Sequence, residues 1–208
     1  DGSESLAIRI SGAPNDAVLV SGTQTLVASN GAWTLTPEQL TGLKITPPVN
    51  SDVDFTLTVT ATATDGTSTS STSQTLLVTV NPVADTPSLS VSPATGNEDS
   101  AIALSIASSL TDTDSSESLS IRISGAPTDA VLVSGTQTLA ASNGAWTLTP
   151  EQLTGLKITP PANSDVDFTL TVTATSTDGT SITSTSQTLL VTVDPVADTP
   201  SLSVSPAS

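Results

Sequence analysis

The groups most able to do chemistry in this chain are carboxylates set close together. Asp112 and Asp114 stand one residue apart, as do Asp165 and Asp167; Glu98 adjoins Asp99, Asp178 opens an Asp-Gly turn, and Asp194 and Asp198 bracket a Pro-Val-Ala run. Asp52, Asp54, Asn81 and Asp85 form a parallel set earlier in the chain. Oxygen donors at such spacing suit a hard divalent cation, because Ca²⁺ accepts roughly six to eight oxygen ligands in flexible geometry and can draw them from several loops. Other chemistries are closed. The chain has no His, Cys, Met or Tyr, so Ser-His and Cys-His nucleophiles and imidazole or thiolate metal sites are excluded. A carboxylate pair of the glycosidase kind is formally open, but the acids fall at loop ends, and no Gly-rich phosphate loop is present. The reading is non-enzymatic, with no small-molecule substrate.

Twenty acidic residues against four basic ones, Arg9, Lys44, Arg122 and Lys157, leave a net charge of −16 on 208 residues. Such a surface repels phosphate backbones and anionic lipid, so nucleic acid and acidic membrane surfaces are poor partners. It also repels itself, and cations shared between carboxylates relieve that repulsion while ordering the loops that supply them. Without cysteine there can be no disulfide framework; abundant Ser and Thr with almost no Lys fits an exposed extracellular chain. No run approaches the roughly 18 apolar residues of a membrane span, so no membrane insertion is expected. No charged-then-apolar leader opens the sequence, and any targeting signal is expected outside this stretch.

Residues 1–95 superimpose on 114–208 with ten mismatches, a period of 113 residues. Near-identity at a fixed period marks a tandem array in which each repeat contacts chiefly its neighbours. The string NPVADTPSLSVSP at 81–93 returns as DPVADTPSLSVSP at 194–206, and its prolines and Asp-Thr-Pro turn mark boundaries. The expected organisation is a truncated repeat over 1–85 lacking its first two strands, a complete repeat over 86–198, and the first strand of a following repeat over 199–208. The truncated copy is expected to present an unpaired strand edge open to another chain.

Period-two alternation identifies the strands of the complete repeat. Leu119, Ile121 and Ile123 share one face while Ser120 and Arg122 share the other; Phe168, Leu170, Val172 and Ala174 alternate with threonines, as half-buried strands require. Seven strands are predicted, over 88–92, 100–107, 118–124, 130–134, 145–149, 167–175 and 184–193. Thr177-Asp178-Gly179-Thr180 reads as the hairpin joining the last two. Thr149-Pro150-Glu151-Gln152 carries a hydroxyl N-cap, a first-turn proline and a third-position Gln, which predicts a single helical turn. Trp146 is in phase with Leu148 and is expected in the core, as is Phe168; Trp33 and Phe55 are their counterparts. The fold class is all-β, with tandem immunoglobulin-like or cadherin-like β-sandwiches stacked end to end.

Strand parity then assigns each acidic loop to one end of the sandwich. With the first strand descending, Glu98, Asp99, Asn163, Asp165, Asp167, Asp194 and Asp198 fall at the lower end. Asp112, Asp114, Glu117 and Asp178 fall at the upper end. Stacked repeats bring a lower end to an upper end, and Ca²⁺ resolves the resulting repulsion. For the joint within this chain the expected ligands are Asp52, Asp54, Asn81 and Asp85 below, and Asp112, Asp114 and Asp178 above. Asp16, Glu38, Asp129 and Glu151 are read as solvated surface charges, and Arg122 as an outward-facing residue worth a weak ion pair.

The strings NEDSAIALSIASSLTDTDSSESLSIRISGAP, WTLTPEQLTGLKITPP, NSDVDFTLTVTATSTDG and VTVDPVADTPSLSV together resemble the cadherin-like repeats of giant repeats-in-toxin adhesins that Gram-negative bacteria export by type I secretion. The resemblance covers the whole chain. It implies an extender region at the bacterial cell surface, of the kind found in biofilm adhesins, that projects a distal ligand-binding domain with calcium rigidifying its linkers. Against the cadherin pattern, Glu98, Asp165, Asp167 and Asp198 match the lower half of a calcium joint, and Asp112 and Asp114 match the upper half. The Pro-Val-Ala-Asp-Thr-Pro linker departs from the animal Asp-x-Asn-Asp-Asn linker and supplies fewer ligands, which favours one or two ions over three. Two other readings are carried. One is a glycan- or protein-binding adhesin module, which an exposed Trp146 beside a cation would favour; the other is a filament or surface-layer subunit assembled by strand exchange between copies.

Overall fold

The computed structural model describes residues 4–112 and 115–204; Asp114, one of the expected ligands, lies outside them. The chain divides into two compact units, Asp1–Val83 and Ala84–Ser208. Both are all-β, and no helix among the described residues is long and apolar enough to cross a membrane.

The described residues of unit 2 form eleven strands. In chain order after the first seven they are β8 (Ser88–Ser92), β9 (Ala94–Asn97), β10 (Ile102–Ala103), β11 (Ser105–Ser109), β12 (Ser118–Ser124), β13 (Val131–Ser134), β14 (Gln137–Leu139), β15 (Ala145–Leu148), β16 (Leu156–Thr159), β17 (Phe168–Asp178) and β18 (Ser181–Asp194). One layer is a five-stranded sheet in the order β15-β12-β17-β18-β9, antiparallel except for the parallel pair β18–β9. The other layer comprises β10-β16-β13-β14 and the pair β11-β8. Leu104 joins its parts, its N–H donating to Leu156 O at 2.9 Å. Between the layers Ile121, Ile123, Leu170, Val172, Leu189 and Val191 meet Ile102, Leu104, Ile106, Leu132, Leu156 and Ile158 in one apolar cluster. Burial at every second residue along β12, β17 and β18 follows the alternation of the sequence.

The predicted strands at 88–92 and 118–124 stand as read, but the region between 134 and 167 is richer than expected. Gly135, at φ 58°, turns the chain directly into β14, with Ser134 opposite Gln137. Asn143 and Gly144 then form a second two-residue turn at φ 50° and 72°, the Asn-Gly pattern that left-handed hairpin positions favour. The strand predicted at 145–149 therefore runs opposite to its assigned direction. It pairs antiparallel with β12, Ile123 facing Trp146, at the edge of the five-stranded sheet. The place in the facing layer is taken by β16, between β10 and β13. Because both β14 and β16 were unread, the two missing reversals cancel, and the 160–167 loop still arrives at the lower end. The Pro150–Leu153 turn is a single 3-10 turn, with Thr149 N–H donating to Gln152 Oε1 at 2.9 Å. Trp146 is buried, and its Nε1 donates to Leu139 O at 3.2 Å, fastening β14 to β15. Phe168 is half-buried against the core rather than within it.

Unit 1 consists of β1 (Ser5–Ser11), β2 (Val18–Ser21), β3 (Gln24–Leu26), β4 (Ala32–Leu35), β5 (Leu43–Thr46), β6 (Phe55–Asp65) and β7 (Ser68–Val78). Its sheets run β4-β1-β6-β7 and β3-β2-β5, each strand the counterpart of one in unit 2. Among its described residues nothing stands where β8 to β11 stand in unit 2. The consequence appears in side chains of the same type: Leu189 is 1% exposed and Leu76, at the equivalent position, 55%. Ile158 and Val172 are fully buried, whereas Ile45 and Val59 are only partly so.

Candidate cation site at the upper end of unit 2

The segment leading into unit 2 is tied down residue by residue. Ala84 N–H donates to Ser181 Oγ at 2.9 Å, and Asp85 N–H donates to Glu117 Oε1. Thr86 O accepts from Thr111 Oγ1 at 2.7 Å, and Pro87 is buried beneath. Each bond satisfies a backbone group that the proline-broken, non-strand conformation leaves without a ladder partner. The leading segment is thereby pressed against the starts of β12 and β18 and the loop that follows β11.

That path sets three carboxylates together. One ligand oxygen from each of Asp85, Asp112 and Glu117 lies within 4.8 Å of the others. Asp112 is 6% exposed and Glu117 8%, so two of the three are withdrawn from water. Glu117 Oε2 is buried and has no hydrogen-bond partner. Unit charges at that separation repel by about 3–4 kcal/mol per pair at an effective dielectric near 20. A buried carboxylate oxygen left unpaired is costly on its own. The four basic residues, Arg9, Lys44, Arg122 and Lys157, lie on β1, β5, β12 and β16. A purely oxygen donor set with an orphaned buried oxygen fits a hard cation such as Ca²⁺, and Asp85, Asp112 and Glu117 are the residues that would hold it.

The expected ligands distribute unevenly around this trio. Asp85 and Asp112 belong to it. Asp178 is 4% exposed at the end of β17, facing Ser181 across the hairpin, but is outside the trio. Glu117 was placed by the sequence in the same upper loop without being counted as a ligand. Its signal was a Glu one position before a strand start, where the first inward-facing Leu119 fixes it at the rim of the core.

At the lower end the acids do different work. Glu98 is 9% exposed, and its Oε1 accepts from Val196 N–H at 2.7 Å while its own N–H donates to Asp194 O at 3.0 Å. Asp167 Oδ1 accepts from Val193 N–H, and Asp99 Oδ1 from Asn163 N–H, both at 2.8 Å. These carboxylates fasten the outgoing strand and loop through charge-assisted bonds to backbone. Asp165 and Asp198 are exposed. No trio like the upper one forms there among the described residues. Unit 1 repeats one of the bonds, Asp54 Oδ1 accepting from Val80 N–H at 2.8 Å; Asp52 is half-buried and Asn81 exposed. Glu4, the counterpart of Glu117, is exposed.

Two of the remaining acids have a defined local role. A hydrogen bond from the Thr149 side chain, followed by one from backbone, holds the Glu151 carboxyl below its ordinary value, and Thr36 does the same for Glu38.

No protein-family profile matches the chain, and no curated protein sequence does. Solved structures do. Drosophila N-cadherin EC1-3 aligns over 94% of this chain and 57% of that one, at 15% identity and a TM-score of 0.33. An endo-fucoidan hydrolase of glycoside hydrolase family 107 aligns over 90% of this chain and 24% of its own, at 19% identity and 0.28. A SusE-like surface located polysaccharide binding protein from Bacteroides thetaiotaomicron aligns over 92% and 78%, at 16% identity and 0.25. The chain thus spans about a quarter of the hydrolase and somewhat over half of the cadherin fragment. Scores this low reflect shared all-β construction and carry no inference about activity.

Proposed function

We propose that this chain is a non-enzymatic spacer from a tandem array on an extracellular surface, whose leading segment is locked to its module by Ca²⁺ held between Asp85, Asp112 and Glu117. The observation that carries the reading is the buried, unpartnered Glu117 Oε2 beside two further carboxylates. Without a cation the upper end holds three mutually repelling groups; with one, the same groups tie the leading segment to the loop before β12.

The linker sequence itself recurs. Val196-Ala197-Asp198 has the sequence of Val83-Ala84-Asp85. Glu98 of one module takes the Val N–H, and Glu117 takes the Asp N–H. In an array each linker would be gripped by the preceding repeat's Glu98 and the following repeat's Glu117 at positions two residues apart. Such an array would hold a distal binding domain away from the surface that bears it, the role implied by the resemblance to repeats-in-toxin adhesins. The buried Trp146 removes the aromatic platform that a glycan-binding reading of this module would need.

Thermal unfolding of the full chain in EDTA and in rising Ca²⁺ tests the reading. A ligand that binds only the folded state raises the midpoint with concentration, by the equivalent of about 2.7 kcal/mol at a hundredfold excess over Kd. A midpoint indifferent to Ca²⁺ up to millimolar concentration overturns it.

A further inference from the structure

Tension along a spacer must cross unit 2 from the segment that enters it to the segment that leaves it, and β9 and β18 meet on that path. β9 follows β8 after Pro93 alone, and β18 is the last strand. The two pair in parallel, with Ala94 opposite Val191, Thr95 opposite Thr192, Gly96 opposite Val193 and Asn97 opposite Asp194. Parallel pairing puts the start of β9 and the end of β18 at opposite ends of the ladder. The chain enters at the upper end, where Ala84 N–H is bonded to Ser181 Oγ at the start of β18, and it leaves at the lower end beyond Asp194. Tension between entry and exit therefore draws β9 towards its start and β18 towards its end, sliding one along the other. In that geometry the rungs of the ladder are loaded together, whereas strands pulled apart from one end lose them one at a time.

Further contacts lie along the same line. Glu98 N–H donates to Asp194 O at 3.0 Å, and Glu98 Oε1 accepts from Val196 N–H at 2.7 Å, closing the lower end of the ladder. Gln187 Nε2 donates to Leu89 O at 2.8 Å, tying β18 to the preceding strand β8. Ala94, Val191 and Val193 are buried on the core face of the ladder, which keeps water from replacing its rungs on that side. At Gly96 a Cβ would stand 2.8 Å from Ile102 Cγ1, so the absence of a side chain there lets β9 pack directly against Ile102.

We propose that β9 and β18 form a mechanical clamp, through which tension passes directly from the first strands of the module to its last while the rest of the sandwich stays unloaded. The use of such a clamp rests on the spacer reading above. Its mechanics do not involve the cation, since none of Asp85, Asp112 and Glu117 lies on the ladder. Forced unfolding is governed by the rate of unfolding rather than by equilibrium stability, so the clamp is read as a rupture force that depends on the direction of pull.

Single-molecule pulling on the full chain in EDTA tests it. The sequence has no cysteine, so a pair of thiol handles defines the direction of load. V83C/T199C loads the ladder lengthwise, whereas S100C/T199C pulls β9 and β18 apart from their shared lower end. All three positions are exposed and outside the strands, and thermal melting checks that both variants fold as the wild type does. At one pulling speed the lengthwise rupture force is expected to exceed the same-end force severalfold. Equal forces in the two geometries, or a lower force lengthwise, overturn the clamp. A melting midpoint indifferent to Ca²⁺ would remove the cation reading and leave this directional difference standing, so the two fail separately.

Discussion

Glu117 and Asp85 are joined in two ways: Glu117 Oε1 accepts the Asp85 backbone N–H, and the carboxylates of the two residues approach within 4.8 Å with that of Asp112. The first contact favours the docked leading segment. The second opposes it, and under the proposed cation binding the conformation of residues 84–87 is coupled to ion occupancy.

The coupling predicts a crossover for Glu117→Gln. In EDTA the variant loses one of the three repelling charges and should melt at or above the wild type. In millimolar Ca²⁺ the order should reverse, because the variant has lost a ligand. Paired melting curves of both proteins in the two buffers check this; an Asp129→Asn control, at an exposed acid outside the trio, should track the wild type throughout.

The lower end should behave differently. Truncating Glu98 to Ala removes a charge-assisted hydrogen bond worth about 1.5–3 kcal/mol from the Val196 amide. Hydrogen exchange at Val196 should accelerate by roughly 10- to 100-fold, since every 1.4 kcal/mol is tenfold. The acceleration should be the same with and without Ca²⁺, as Glu98 is outside the trio.

Ser176 offers a gain of stability. Its hydroxyl is buried on β17 with no hydrogen-bond partner, and Ala63 occupies the equivalent place in unit 1. An unsatisfied buried polar group costs about 1–3 kcal/mol. Ser176→Ala should therefore raise unfolding stability by about 1 kcal/mol, measured by urea titration.

Glu151 gives a pH test with a fixed sign. Its carboxyl titrates below the ordinary 4.5 because the Thr149 hydrogen bond favours the ionised form. A depressed folded-state value contributes stability that is fully present above the unfolded value and fades as pH falls through the folded one. NMR titration should place both Glu151 and Glu38 below 4.5, and Thr149→Val should return Glu151 towards it while leaving Glu38 unchanged.

Much of this architecture could be read from period-two alternation. The strands carrying Ile121, Leu170 and Leu189 were legible because one face of each is buried and the other wet. The strands holding Gln137 and Leu156 were not, because runs of three or four residues give too few alternations to register, and without them the strand read at 145–149 was given the wrong direction. Their turns were nevertheless written in Gly135 and in Asn143-Gly144, whose positive φ values require those residues. At the site, loop position put Asp112 at the upper end, whereas Asp85 was assigned to the lower set and in the structure stands beside Asp112. Glu117 was not singled out, because its importance lies in burial at the rim of the core, which no spacing reveals. Glu98 and Asp167 were taken as ligands; in the structure they accept from backbone N–H groups, a use of carboxylates that depends on where the outgoing strand passes.

The measurement closest to the central claim is isothermal titration of Ca²⁺ into the full chain and into its Glu117→Gln variant, both freed of metal beforehand. Saturable uptake by the wild type that is abolished or weakened at least tenfold in the variant is the predicted result. Equal uptake by the two proteins, or none by either at millimolar Ca²⁺, contradicts a cation held by Asp85, Asp112 and Glu117.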